Sequence, residues 1–214
     1  MMVDRCGQRA RKDREGIRDR FLPGKPIWIT ETADAACGGN PWANTFLDTF
    51  RYLDQMGRLG RRGVNVIFHN TLASSEYGLL DQSTFAPRPN YWGGLLWHQL
   101  MGTTVLDAGP SREGLHLYAH CMRGQPGGVT LLAINNSATR ASSIEVPLAA
   151  ERFTLSAQPL RSAQVELNGH TLALGANDAL PELRGAHVAA GPVTLAPSTI
   201  TFIAISSAGN AACR

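Results

Sequence analysis

Apolar residues follow two different periods along this chain, and the change falls near residues 102–105. Before it, short apolar runs alternate with stretches in which apolar positions recur every three or four residues, as in strands and amphipathic helices. After it, short apolar runs are separated by Gly, Pro, Asn and Ser, and no helical stretch occurs. The pattern therefore predicts an α/β part, residues 1–102, followed by an all-β part, residues 103–214.

In the α/β part, the pattern predicts the order helix, strand, helix, strand, helix. The predicted helices cover residues 1–21, 44–60 and 91–101, and the predicted strands cover residues 26–31 and 64–68. Asn44 is the expected N-cap of the second helix, and Gly60 marks its end. The first helix mixes basic with acidic residues, which is typical of a solvated helix face.

Seven short strands are predicted in the all-β part. They cover residues 115–120, 129–134, 144–146, 153–155, 165–167, 193–195 and 200–205. Their regular spacing between turn residues favours a β-sandwich.

Two strands in the α/β part are too few for the barrel that this alternation suggests, because a (β/α)₈ barrel needs eight strands and typically about 250 residues. Two interpretations remain open. Either the chain is part of a larger enzyme, or its front part is a small α/β appendage on a β domain. A start in the middle of the pattern, within a charged helix, favours the first.

Glu31 is the main candidate for chemistry. It ends the apolar run at residues 26–31 and precedes a loop of small residues, 32–39. Barrel enzymes place their catalytic groups at the carboxyl ends of the strands, and a carboxylate there can attack the anomeric carbon of a sugar. A strand-end glutamate can equally cap the next helix or pair with an arginine, so its position alone leaves both interpretations open.

Composition narrows the classes of function. The 214 residues are 43% hydrophobic and 17% charged, which suits a packed core. The small net charge of +3 gives no support for a nucleic-acid partner. No apolar run approaches the roughly 20 residues of a transmembrane helix, and the first residues lack the apolar segment of a signal peptide. Four cysteines without a CxxC pair indicate no zinc site, and no metal or organic cofactor is expected.

Nine ordered motifs make the chain similar to the C-terminal part of glycoside hydrolase family 79, the heparanase and β-glucuronidase family. The resemblance runs from about Pro23 to Cys213. The motifs are WITET at 28–32, GG at 38–39, NTF at 44–46, YLDQMG at 52–57, YGLLD at 77–81, PNYW at 89–92, LLWHQLMG at 95–102, VL at 105–106 and YAHC at 118–121.

The resemblance implies an α/β plus all-β fold: the last two βα units of an incomplete (β/α)₈ TIM barrel, then a C-terminal β-sandwich. The predicted strands would be the seventh and eighth of the barrel. Glu31 matches the family's nucleophile in a retaining hydrolysis of β-glucuronide linkages in glycans or glycosaminoglycans. The family's acid/base glutamate lies upstream of the matched region, so little or no activity is expected from this chain alone.

The resemblance also implies groups that bind the substrate, a glycan that contains uronic acid. Backbone N–H groups at Cys37 and Gly38, together with Tyr77, match the family's site for the uronate carboxylate. Asn70 matches an amide side chain and is expected to donate a hydrogen bond, whereas His69 is as well explained by a structural role. Trp42, in the glycine-rich loop, is a better candidate for sugar stacking than the helical Tyr91, Trp92 and Trp97.

Cys121 and Cys213 match a pair that is disulfide-bonded in the family. The bond would imply an oxidising compartment, extracellular or periplasmic, for the full-length protein; the alternative is two buried thiols. Asn135-Asn136-Ser137 fits the acceptor pattern for N-glycosylation.

Hypotheses of other classes remain. The all-β part could act as a non-catalytic module that binds a glycan or a partner, or the chain could be a truncated product without activity. Under the enzyme hypothesis, a missing N-terminal half of the barrel is the expected protein partner, because strand edges and helix faces would otherwise stay exposed.

Overall fold

A computed structural model describes residues 16–35 and 39–214. Residues 16–21 are helical, and the rest of the helix predicted over 1–21 lies outside the described residues. Cys37 and Gly38, two of the predicted binding positions, lie outside them as well.

A parallel pair of strands forms the front of the molecule. Strand β1 (Ile27–Thr32) pairs with β2 (Val64–His69), and helix α1 (Phe46–Gly60) connects them. A second helix, α2 (Pro89–Leu100), follows after a long loop. These elements confirm the α/β character of the front part, and the crossover through α1 explains why the two strands run parallel.

The two faces of the parallel pair differ in their burial. Ile29 is buried, whereas Trp28 and Phe68 are 57% and 50% exposed. The centroids of these two exposed rings are 6.4 Å apart. Within the described residues, β1 and β2 form a sheet of two strands, so their outer edges carry no further strand.

Both helices begin at residues other than those predicted. Thr45, in extended conformation, is the N-cap of α1, and the predicted cap, Asn44, instead donates a hydrogen bond to Glu76 Oε2 at 3.3 Å. A hydrogen-bonded turn formed by residues 40–45 precedes the helix and includes the first two residues, 44 and 45, of its predicted range. Helix α2 begins at Pro89 rather than residue 91, because a proline fits the first helical position, where no N–H donor is needed.

The back of the molecule is an eight-stranded antiparallel sheet with a two-stranded sheet against it. The large sheet contains β3 (Met101–Leu106), β4 (Leu115–Met122), β5 (Val129–Asn135), β7 (Ala150–Ser156), β8 (Glu166–Leu167), β9 (His170–Thr171), β10 (Ala186–Val188) and β12 (Thr199–Ile205). The small one pairs β6 (Ser142–Val146) with β11 (Gly191–Leu195). The order in the large sheet is β3-β4-β5-β12-β7-β8-β9, and β10 pairs with β7. All seven predicted strands are present, but β3, β9 and β10 were not predicted.

Alternating residues of the large sheet form two separate cores. On one face, Leu132 and Phe202 pack with α1 and α2, in a cluster that includes the buried Trp92. On the other face, Ala133 and Ile203 pack with β6 and β11. Because side chains of a strand alternate between faces, each central strand contributes to both cores.

Asp54 on α1 forms the main polar contact between that helix and the large sheet. Its Oδ1 accepts hydrogen bonds from His116 Nδ1 at 2.6 Å and from the Tyr118 hydroxyl at 2.5 Å, and its Oδ2 accepts one from Arg58 at 2.6 Å. Burial raises the pKa of Asp54, but the hydrogen bonds from His116 and Tyr118, together with the electrostatic attraction of His116 and Arg58, hold the pKa below its ordinary value.

The depressed pKa of Asp54 makes the stability of this contact depend on pH. A carboxyl whose pKa is lower in the folded state contributes stability above its unfolded pKa of about 3.9, and that stability is lost as pH falls through the folded value. We expect Asp54→Asn to lower the free energy of unfolding at pH 7, and we expect the difference in this free energy between variant and parent to shrink below pH 4. Urea unfolding of both chains from pH 7 to 2.5 measures this difference. A difference that does not depend on pH would contradict the depressed pKa of Asp54.

Gly57, one turn after Asp54, allows α1 to approach strand β4 closely. A Cβ built on Gly57 would overlap the ring atoms of Tyr118, whereas a Cβ on Gly60 of the same helix would make ordinary contacts with Val105 Cγ2 at 3.7 Å and the His120 ring at 3.8 Å. Tyr118 is 1% exposed, so its ring has little space to move.

Gly57→Ala and Gly60→Ala therefore form a matched pair of variants. Both gain the helix propensity of alanine, worth up to about 1 kcal/mol, but only Gly57→Ala overpacks a full interface, at a cost of about 1–3 kcal/mol. We expect Gly57→Ala to lower the free energy of unfolding and Gly60→Ala to leave it unchanged or raise it. Equal effects of the two variants, measured by urea unfolding, would mean that the helix does not dock at Gly57.

A disulfide joins β4 to the C-terminal residues. The Sγ atoms of Cys121 and Cys213 are 2.09 Å apart, across 92 residues of sequence. The acceptor asparagine of the glycosylation pattern, Asn135, is completely buried, and its side-chain amide donates to the carbonyls of Arg140, Leu195 and Ala196. In the folded chain that amide is therefore inaccessible. Among the residues that the structure describes, no helix is long and apolar enough to cross a membrane.

Candidate active site

Glu31 and Asn70 lie side by side at the carboxyl ends of the parallel strands. Glu31 is the fifth residue of β1 and is exposed, and Asn70 directly follows β2. The side-chain amide of Asn70 donates a hydrogen bond to Glu31 Oε1. The backbone N–H of Asn70 donates to the Thr32 carbonyl at 2.9 Å, which joins the two strand ends. The structure thus brings two of the predicted site residues into direct contact.

His69 and Tyr77 connect β2 to the loop that follows it. His69 Nε2 lies 2.7 Å from the Tyr77 carbonyl oxygen, and its ring meets Tyr52 edge to face at 5.1 Å. Burial lowers the pKa of His69, so the imidazole is neutral near pH 7 and donates from Nε2. These contacts give His69 a structural role, one of the two roles that the sequence left open.

Tyr77 is buried against the glycine-rich loop that follows β1. It is 7% exposed. Gly39 in that loop has a φ of +91°, and a Cβ there would meet Tyr77 Cδ1 at 3.0 Å and Asp34 Oδ1 at 3.3 Å. A glycine thus serves both the backbone conformation and the close approach. The predicted partners of Tyr77 at positions 37 and 38 lie outside the described residues.

Arg88 holds the loop that carries Tyr77. The side chain is nearly buried and donates to the carbonyls of Ser75 at 2.6 Å and Glu76 at 2.5 Å. It also donates to Asp81 Oδ2 at 3.1 Å. Hydrogen bonds from the Thr84 and Ser83 backbones, and then from Arg88, hold the pKa of Asp81 well below its usual range. The motif at 77–81 contains Asp81, but no sequence pattern predicts that Arg88 reaches back to this loop.

Asp34 organises the loop after β1. Its Oδ2 accepts a hydrogen bond from the Asn40 side chain, and Asn40 Oδ1 accepts one from the Trp42 backbone N–H at 2.8 Å. Burial, and then the negative charge of Asp48, raise the pKa of Asp34. Asp34 is thus engaged in shaping the loop, three residues after Glu31.

A network of polar side chains on α1 forms a hydrogen bond with the last residue of β1. Arg51 binds Asp48 through two hydrogen bonds, at 2.5 and 2.9 Å, and donates to Gln55 Oε1 at 2.9 Å. Gln55 in turn donates to Thr32 Oγ1 at 2.8 Å. Asn90, at the start of α2, donates to the same Asp48 at 2.7 Å. The sequence analysis did not identify this network, although the spacing of Asp48, Arg51 and Gln55 places them on one helix face.

The aromatic residues differ in their exposure, as their positions in the sequence suggested. Trp92 is 2% exposed, in the core between the helices and the large sheet. Tyr91 and Trp97 are partly buried against the same core. Trp42 is 45% exposed, and the guanidinium of Arg161 lies over its ring at 5.1 Å from the centroid. Among the described residues, no group of three or more His, Cys, Asp or Glu side chains could hold a metal ion.

Arg88→Lys tests whether the clamp on the Tyr77 loop depends on the planar guanidinium. A lysine cannot reproduce three directed hydrogen bonds to two carbonyls and a carboxylate, and carbonyls left without a donor cost about 1–3 kcal/mol. We expect a loss of that size in the free energy of unfolding and faster amide exchange over residues 75–81. Arg62→Lys, at an exposed position, is the control. Unchanged exchange in the Arg88 variant would contradict the role of the clamp.

Comparison with known proteins relates the chain to glycoside hydrolases. No protein-family profile matches it. It is 34% identical to mouse heparanase over 215 residues, which cover 92% of the chain and 40% of that protein. It is 31% identical to baicalin-β-D-glucuronidase of Scutellaria baicalensis over 167 residues, which cover 73% of the chain and 31% of that enzyme. The chain thus spans less than half the length of these relatives.

A solved structure shows the same likeness in the fold. The 4-O-α-L-rhamnosyl-β-D-glucuronidase of Fusarium oxysporum matches 86% of this chain and 44% of its own, with a TM-score of 0.65 at 14% identity. At this identity, the match concerns the arrangement of helices and sheets alone.

Proposed function

Since the chain belongs to the heparanase and β-glucuronidase family of glycoside hydrolases, we propose that it carries the nucleophile of a retaining site for β-glucuronide hydrolysis. The observation that carries this proposal is the position of Glu31. Its carboxylate is exposed at the carboxyl end of a parallel strand, and the Asn70 amide donates a hydrogen bond to it. One oxygen is thereby oriented, and the other stays available for attack.

The chemistry proceeds in two steps. Glu31 attacks the anomeric carbon, the glycosidic bond breaks, and a glycosyl ester forms on the carboxylate while a second carboxylic acid protonates the leaving oxygen. The second group, now a carboxylate, then removes a proton from water, and that water hydrolyses the ester. In a retaining site the two carboxyl groups are about 5–5.5 Å apart. We assign the second group to a segment outside this chain.

Strands β1 and β2 are proposed to be the seventh and eighth strands of a (β/α)₈ barrel, and the antiparallel part its C-terminal β-sandwich. The open outer edges of the pair and the exposed Trp28 and Phe68 support this arrangement, since the remaining strands would pair with the edges and bury both rings. In this proposal the other six strands belong to the part of the relatives that the chain does not span.

Uronate specificity is proposed to come from the loop after β1 and from Tyr77. Backbone N–H groups at Cys37 and Gly38 would bind the carboxylate of the sugar that Glu31 attacks. Asn70, through its hydrogen bond to Glu31, would keep the nucleophile in place. The disulfide between Cys121 and Cys213 supports an extracellular or periplasmic location for the complete protein.

A second candidate function is binding without turnover. The antiparallel part has a core of its own between the large sheet and the β6–β11 pair, so it could act as a module that binds a glycan or a partner protein. This hypothesis predicts that Glu31→Gln does not change binding and that no turnover appears. The activity assay described next therefore distinguishes it from the enzyme hypothesis.

We expect the chain alone to hydrolyse 4-nitrophenyl β-D-glucuronide negligibly, and turnover to appear when a polypeptide with the first six βα units of a relative is added. Glu31→Gln should then lower kcat by about a thousandfold or more, because the nucleophile is lost. Glu76→Gln, a matched change at an exposed glutamate on the loop after β2, should stay within a few-fold of the parent.

A covalent trap gives an independent readout. A 2-deoxy-2-fluoro glucuronyl fluoride should leave a stable ester on Glu31 of the complemented chain, which peptide mass spectrometry locates. An ester on another residue, or full activity in the Glu31 variant, would overturn the assignment of the nucleophile.

A further inference from the structure

Trp42 and Arg161 form an exposed pair at the end of the parallel strands where Glu31 lies. Trp42 belongs to the loop that follows β1, the strand that carries Glu31, whereas Arg161 comes from the connection between β7 and β8 in the antiparallel part. The two meet with the guanidinium 5.1 Å from the ring centroid. Because β1 ends at Glu31 and Thr32, the pair lies at the same end of the parallel strands as the candidate nucleophile.

The backbone of Trp42 is fixed by three hydrogen bonds. Its N–H donates to Asn40 Oδ1 at 2.8 Å, and its carbonyl accepts from the Thr45 N–H at 3.0 Å and the Thr45 hydroxyl at 2.8 Å. The side chain of Asn40 donates a hydrogen bond to Asp34, which lies two residues after the end of β1. The indole therefore projects from an anchored turn although its side chain is 45% exposed.

The backbone next to Arg161 is fixed as well. The Ser162 carbonyl accepts a hydrogen bond from the Phe46 N–H, the first residue of α1, at 2.9 Å. The Ser162 N–H donates to the Pro159 carbonyl at 2.8 Å. Arg161 is thus held close to the start of the helix that Trp42 precedes by four residues, and the pair is prearranged by contacts that involve neither side chain.

The charge of Arg161 is not neutralised within the part of the chain that the structure describes. No carboxylate of residues 16–35 or 39–214 forms an ion pair with it, and the side chain is exposed. A guanidinium over an aromatic ring is attracted to the ring, and its N–H groups, which lie in the plane of the guanidinium, can still donate to an anion. The pair therefore offers an apolar surface beside a cation that can bind an anionic group.

We propose that Trp42 and Arg161 form a further subsite, which binds an anionic sugar unit of the oligosaccharide outside the unit attacked by Glu31. An apolar face of the pyranose packs on the open part of the indole, and a carboxylate or sulfate of that unit accepts hydrogen bonds from Arg161. The choice of an acidic oligosaccharide rests on the proposed function. The subsite needs both parts of the molecule, since each contributes one side chain.

Binding measured without turnover tests the subsite. The chain carrying Glu31→Gln is titrated by calorimetry with three tetrasaccharides: one of alternating glucuronic acid and N-acetylglucosamine, its N-sulfated counterpart, and neutral chitotetraose. Added Arg161→Gln is expected to weaken binding of both acidic probes at least fivefold and to leave the neutral probe unchanged. Added Trp42→Ala is expected to weaken all three, because stacking does not depend on charge.

Two matched variants serve as controls. Arg62→Gln removes the same charge just beyond the end of α1, at the opposite end of the parallel pair, and should leave all three affinities unchanged. Arg161→Lys keeps the charge and should retain part of the affinity for the acidic probes. Thermal unfolding confirms that each variant is folded. A preference for the sulfated probe would identify sulfate as the bound group, and equal affinities would identify the carboxylate.

Several outcomes would overturn the proposal: no binding of any probe, acidic-probe affinities within twofold of the parent in Arg161→Gln, or an equal loss for the neutral probe. None of them depends on hydrolysis. If the binding pattern holds but the complemented chain shows no Glu31-dependent turnover, the subsite stands and the proposed function fails.

Discussion

The close contact between α1 and strand β4 determines how the two parts of the molecule fit together. Gly57 leaves room for the Tyr118 ring. Asp54, three residues earlier on the same helix, accepts a hydrogen bond from the Tyr118 hydroxyl. A larger residue at position 57 or an apolar one at position 54 would weaken the contact between helix and sheet. Since α1 also connects β1 to β2, its docking sets where the strand ends, and with them Glu31, lie relative to the antiparallel part.

Hydrogen bonds between polar side chains connect α1 to the residues around Glu31 and fix their position. The chain of contacts from Arg51 through Gln55 reaches Thr32, the residue after Glu31. Arg88 does the same for the loop with Tyr77, through backbone carbonyls. The nucleophile proposed here must meet a carbon atom within a few tenths of an ångström, and it would benefit from such support because small misplacements lower rates strongly. Loops without these hydrogen bonds would not hold Glu31 and Tyr77 in fixed positions.

Local patterns predicted the elements of the fold better than their limits. The apolar run that ends at Glu31 and the helical period over residues 46–60 are signals within one element, and both correspond to observed elements. The start of α2 at Pro89 was missed because a proline after a loop can end a helix or begin one. Strand β9 is too short to show alternation, although Asn168-Gly169, both with positive φ, is a typical hairpin turn.

The contacts of the site depended on information that a sequence pattern does not contain. The donation from Asn70 to Glu31 joins residues 39 positions apart, and the resemblance to a family suggested only that Asn70 is a donor. Nothing local marks Arg88 as a clamp, because its acceptors are backbone carbonyls, which every residue has. The meeting of Trp42 with Arg161 depends on how the β7–β8 connection reaches α1, and only the tertiary structure shows this.

The link between Cys121 and Cys213 has a consequence for the order of events during synthesis. A ribosome that adds about 5–20 residues per second needs roughly 5–18 s for the 92 positions between them. Throughout that interval the thiol of Cys121 has no native partner, and Cys6 and Cys37 of this sequence have already been made. In an oxidising lumen, mispairing with either of them competes with the native bond, and rapid burial of Cys121 in β4 would limit that competition.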